Sequence, residues 1–113
     1  RFGEMMRLKG QFNGQQIVSR AAVERILQGA DREAFKAAGR DFQPGYSYSN
    51  QWWISHNADG AYEASGIHGQ MIHINPKAEM VVIKLASHPV AGAGFTHPMT
   101  LRAWAALAQA VKQ

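Results

Sequence analysis

The hydrophobic period changes at Tyr46. Before it, apolar residues recur at helical spacing; from Tyr46 to Ala86 they fall into short extended runs separated by strong breakers. Tyr46, Tyr48, Trp52, Trp53 and Ile54 read as an aromatic strand, and His56-Asn57-Ala58-Asp59-Gly60 as the turn that follows it. Ala61 to Gly66 and Gly69 to Asn75 read as two more strands, the second alternating Met71, His73 and Asn75 against Ile72 and Ile74. Asn75-Pro76-Lys77-Ala78 then turns the chain into Met80 to Ala86. Consecutive extended runs with short turns can only pair antiparallel, because a parallel pair needs a long crossover.

Helices flank this block. Residues 1–9 carry apolar side chains at helical spacing and stop at Gly10, with no capping residue ahead of them. The Asn13-Gly14 pair marks a turn into an extended piece at 16–18. Ser19 caps a helix over Arg20 to Gln28, closed by Gly29; Asp31 caps a second that runs through Ala38 to Gly39. After a Gly- and Ala-rich loop over 88–97, Thr96 or His97 begins a terminal amphipathic helix with Pro98 in its first turn. The expected fold is therefore α+β: an antiparallel meander of about four strands with helices before and after it. Met80 to Ala86 is apolar on both faces, which suits a strand covered by helices on each side, yet as the last strand of a meander it should lie at an edge. The reading expects a further strand to pair with it, from elsewhere in the protein or from another copy.

With 113 residues, 46% of them hydrophobic, the chain fits one domain with one modest core. There are no cysteines, which excludes disulfides and thiolate chemistry within it. No apolar run reaches membrane-spanning length and no signal-like segment opens the sequence, so the segment reads as soluble, with cytoplasm and periplasm both open. The net charge of +4 is spread from Arg1 to Lys112 without a block, and a nucleic-acid partner is not expected. No cofactor is called for. The five histidines include no helical i, i+4 pair, and His68 and His73 are an odd number of positions apart, so no metal site is expected either.

Serines at 47, 49, 55, 65 and 87 offer hydroxyls, but none lies in a Gly-x-Ser-x-Gly elbow or a Ser-x-x-Lys pair. The chain lacks a self-contained acyl-transfer site. Tyr48-Ser49-Asn50 has the form of a Tyr-x-Asn element, but its place just before Gln51-Trp52-Trp53 favours a structural role. Trp52 and Trp53 project to opposite faces, so with Tyr46 and Tyr48 they serve either as core or as a stacking platform for sugar or single-stranded nucleic acid; core is preferred.

The order of Tyr46-Ser47-Tyr48-Ser49-Asn50-Gln51-Trp52-Trp53, Ala64-Ser65-Gly66-Ile67-His68-Gly69-Gln70, a strand ending in Asn75-Pro76, and Ser87-His88-Pro89 before a terminal helix resembles the C-terminal part of serine hydrolases with the β-lactamase fold. The nearest likeness is to the branch of 6-aminohexanoate-dimer hydrolases and related esterases, within the class C β-lactamase and penicillin-binding-protein group. It spans nearly the whole chain. The family's Lys-Thr-Gly or His-Thr-Gly element falls on Ala64, Ser65 and Gly66. The resemblance implies that the backbone N–H of Ile67 is one of two oxyanion-hole donors, the other belonging to the nucleophile, and that Ser65, Gly66 and His68 bind substrate. Ala64 replaces the element's cation, which argues against β-lactam hydrolysis and for a linear amide or ester. The family's serine, lysine and tyrosine lie upstream of the matched region, so residues 1–113 are expected to be one part of a larger hydrolase, inactive alone. The rival reading is an interaction module whose open strand edge recruits a partner strand, from a second copy for example; a basic aromatic RNA-binding sheet is a third.

Overall fold

The computed structural model describes residues 1–92 and 94–112. Helix α1 (Phe2–Arg7) unwinds through Lys9 and Gly10, both left-handed (φ 54° and 93°). The Gly10 N–H returns to the Met5 carbonyl at 2.8 Å, and a side chain at Gly10 would collide with the Val18 carbonyl. Asn13 and Gly14 (φ 50° and 75°) then join β1 (Gln11–Phe12) to β2 (Gln15–Gln16). Both positive angles are those a two-residue hairpin turn requires. Ser19 caps α2 (Arg20–Leu27) by accepting the Ala22 N–H at 3.2 Å, and Asp31 caps α3 (Arg32–Ala37) by accepting from Glu33 and Ala34.

The central sheet is a meander of five antiparallel strands in sequence order: β3 (Ser47–Ser49), β4 (Trp52–Ile54), β5 (Tyr62–Ser65), β6 (Met71–Asn75) and β7 (Met80–Lys84). The fifth strand arises because the aromatic run expected as one strand over 46–54 is a hairpin. Asn50 and Gln51 take φ 52° and 72°, and Tyr48 and Trp53 face each other across the pair with ring centroids 4.7 Å apart. Tyr48-Ser49-Asn50 is thus part of a strand and its turn.

Register sorts the side chains into two layers. On one face Ile54, Tyr62, Ile74 and Val81 lie in line. With Trp52 they meet Met5 and Met6 of α1 and Val23 of α2 in the main core. A Cβ on Gly3 would stand 2.6 Å from Val81 Cγ1, so α1 lies on the sheet as closely as its backbone allows. On the other face Trp53, Glu63, His73 and Val82 line up beneath α4 (His97–Val111). There Ala108 packs on Ala78 and Met80, and the Trp104 indole N–H reaches Met71 Sδ at 3.3 Å.

Helices therefore cover both faces, as the composition of the last strand required. Even so, β7 is an edge strand, and among the described residues nothing pairs with its free side. Ile83 on this strand is 55% exposed, and Leu85, just past its end, 84%. Residues 88–92 and 94–96 form the expected irregular loop; Ala93, within that call, lies outside the described residues.

Candidate functional site

Strand β5 ends at Ser65, and the chain then bends sharply before β6. The Gly66 N–H closes the bend onto the Gln70 carbonyl at 2.9 Å, around a single 3-10 turn at Ile67–Gly69. The two glycines are not equivalent. Gly66 is extended (φ −109°), and a Cβ there would meet Gln70 Cβ at 3.2 Å. Gly69 is left-handed (φ 87°) and lies under the His88 ring, which a Cβ would approach to 2.5 Å. The need for glycine is therefore strongest at Gly69.

The bend presents Ile67, which is 67% exposed. Its backbone N–H has no acceptor among the described residues. Beside it opens a cleft of about 220 Å³ lined by Ser65, Gly66, Ile67 and His97, with Trp53 and Phe42 as aromatic walls and Arg40, Gln43, Ala91 and Gly92 completing it. The Ser65 hydroxyl is buried and has no partner among the described residues, a costly condition that a ligand or a water would relieve. Three of the four expected site residues thus converge. His68 does not join them: its N–H donates to the Ala91 carbonyl (3.0 Å), its carbonyl accepts from the His88 N–H (3.1 Å), and its Nδ1–H donates to the His88 carbonyl (2.7 Å). It fastens the segment after β7 to the bend.

Behind the cleft lies a group that sequence reasoning did not assemble. Glu63, two residues before Ser65 on the same face of β5, is 0% exposed. Its Oε1 accepts from Gln43 Nε2 and from His97 Nε2, each at 3.0 Å, and its Oε2 accepts from His73 Nδ1 at 3.1 Å. Burial by itself would raise the Glu63 carboxyl, but the hydrogen bonds and charges of His73 and His97 outweigh it and hold the group below its ordinary value. The nearby Tyr46 phenol is pushed well above its ordinary value by burial and then by the Glu63 charge. His97 is both a wall of the cleft and a donor to this carboxylate, with the Phe42 ring edge-on to it at 5.3 Å. The signal in the sequence was a carboxylate in the middle of an apolar strand with a histidine in register across the hairpin.

One serine does meet a histidine. Ser47 Oγ lies 2.7 Å from His56 Nε2, but Ser47 is fully buried on the α1 face and its oxygen also accepts the Ala30 N–H at 3.0 Å. The hydroxyl ties the loop after α2 to β3 and faces no cleft. No group of three or more potential metal ligands in suitable array occurs among the described residues, and none of their helices is long and apolar enough to cross a membrane.

A five-stranded meander between α1 and α4, bent open at the end of β5, corresponds to the C-terminal part of a β-lactamase-fold hydrolase. The relatives are more particular. Over 90 residues, 79% of the chain, it is 39% identical to a 6-aminohexanoate-dimer hydrolase of Paenarthrobacter ureafaciens, of which the match covers 23%. A solved structure from Bacillus anthracis, also named for 6-aminohexanoate-dimer hydrolase, superposes on 98% of the chain with a TM-score of 0.79 and 30% identity, over 27% of its own length. The chain thus spans about a quarter of the relatives it matches. No family model matches it.

Proposed function

We propose that these residues supply one wall of the active site of a serine hydrolase that cleaves a linear amide or ester through an acyl-enzyme. The observation that carries this is the Ile67 N–H: a backbone donor without an acceptor among the described residues, fixed by a tight turn at the rim of a cleft. When a nucleophile attacks a carbonyl, charge develops on its oxygen, and a preorganised amide stabilises that charge without reorganising. The nucleophile, its lysine and its tyrosine belong to segments beyond these residues. Ser65 Oγ serves as a hydroxyl for the bound substrate, and Ala64 leaves β5 without a cation. The Paenarthrobacter relative is named for the dimer of 6-aminohexanoate, a linear amide, which supports that substrate class here.

The test replaces the matched segment of that relative with residues 1–113 and measures hydrolysis of its amide. Gly66 has ψ 172°, a conformation that accepts a following proline, so Ile67→Pro removes the N–H with little strain. Loss of this donor should lower kcat by about 100- to 1,000-fold with KM little changed, while Ile67→Val stays active. Equal activity of the proline variant would overturn the reading, as would labelling of a serine in the isolated 113-residue chain by a fluorophosphonate. A second reading rests on the free apolar edge of β7, which can take up a strand from another copy of the chain.

A further inference from the structure

His97 stands where the cleft meets the Glu63 cluster. It opens α4, is 2% exposed, and has its ring fixed by the edge contact with Phe42 and by the bond to Glu63. Its Nε2 lies 3.0 Å from Glu63 Oε1, and an unprotonated nitrogen there would set its lone pair against a carboxylate oxygen. The neutral ring therefore carries its proton on Nε2, which makes Nδ1 an acceptor. Gln43 Nε2, 3.2 Å from the same ring nitrogen, gives its own proton to the carboxylate. Nδ1 has no partner among the described residues, yet it is not sealed from solvent. His97 borders the cleft and, beside it, a recess of about 10 Å³ lined also by Ser65 and Thr100. The recess admits a single water at most, so a ligand reaches Nδ1 from the cleft.

We propose that His97, oriented by Glu63, is a specificity residue that accepts a substrate N–H at Nδ1, so that the site prefers secondary amides to the matching esters. This rests on the reading of the cleft as a substrate site, and it separates the two bond types which that reading leaves together. A secondary amide offers an acceptor and a donor at once: its carbonyl meets the Ile67 N–H, and its own N–H meets Nδ1. An ester has an oxygen in place of the N–H, and its lone pairs face that of Nδ1. Between the Phe42 and Trp53 walls, such an unpaired acceptor is costly. Glu63 is a positioning residue: it touches no substrate, but it keeps the ring proton on Nε2 and so keeps Nδ1 open.

Binding tests this without turnover, so its outcome is separate from that of the chimera. The 113-residue chain is titrated with N-propylbutanamide, its N-methylated tertiary amide and propyl butanoate, following the Ile67 N–H and the two ring nitrogens of His97 by NMR. The expected result is a free chain with the His97 proton on Nε2. All three probes should shift Ile67, but only the secondary amide should shift His97 Nδ1, and it should bind at least about tenfold more tightly than the other two. The tertiary amide separates the N–H from the stronger carbonyl acceptor that any amide has over an ester. His97→Gln, which keeps an N–H donor for Glu63 and has no acceptor at the place of Nδ1, should abolish the preference. A proton on Nδ1, equal binding of the three probes, or a preference that survives His97→Gln overturns the proposal alone. No shift at Ile67 with any probe overturns it together with the reading of the cleft.

Discussion

Glu63 shows what a single side chain decides here. It is a fully buried carboxylate with donors from three directions, and removing one member of such a group leaves the others without partners. Glu63→Ala should therefore cost about 3–5 kcal/mol in urea unfolding at neutral pH. The acid dependence has a definite sign. The folded-state value of Glu63 lies below the ordinary 4.5, so its contribution is complete above that pH and is lost as pH falls through the folded value. The difference in unfolding free energy between the native chain and Glu63→Ala should narrow on acidification below about pH 4.5; a difference independent of pH would count against an ionised Glu63. The sequence pointed to Ser65, Gly66 and Ile67 because neighbours in a motif are read together. Glu63 was missed because its partners Gln43, His73 and His97 are 20, 10 and 34 residues away. Spacing along the chain tests a histidine for metal binding, but the relevant partner was a carboxylate across the sheet.

At the scale of elements, local chemistry announced most of what formed. Ser19 and Asp31 capped the helices they were expected to cap, and the Asn13-Gly14 turn made its hairpin. The Asn50-Gln51 turn was hidden because Gln carries no turn signal and the aromatic residues on either side read as continuous strand. The tightest local requirement is at Gly69, left-handed and pressed against His88. Gly69→Ala should lower stability by about 1–3 kcal/mol in thermal unfolding. It should also speed hydrogen exchange at the His68 amide, because displacing His88 loosens the segment that accepts that N–H. Unchanged protection at His68 would mean that the bend holds without its strap.

For the whole molecule, the open side of β7 is the dominant fact. An edge strand with Ile83 and Leu85 exposed is a template for further pairing, and sedimentation velocity should show the isolated chain self-associating with concentration. Ile83→Lys with Leu85→Lys should return it to monomer; association indifferent to both changes would place the contact elsewhere. The antiparallel order and the two covered faces were legible from periodicity, whereas the identity of whatever completes the edge was not, since a strand's sequence reports burial and not the origin of its neighbour. The Glu63 cluster has a consequence in time as well as in energy. It closes only when a loop before β3, two central strands and the first turn of α4 have all arrived, with Gln43 and His97 54 residues apart. Contacts that span such long loops form late in folding. The cleft should accordingly be among the last features to be built and the first to open, and a chain that has the sheet but not yet this closure would lack the wall that Gln43 and His97 complete.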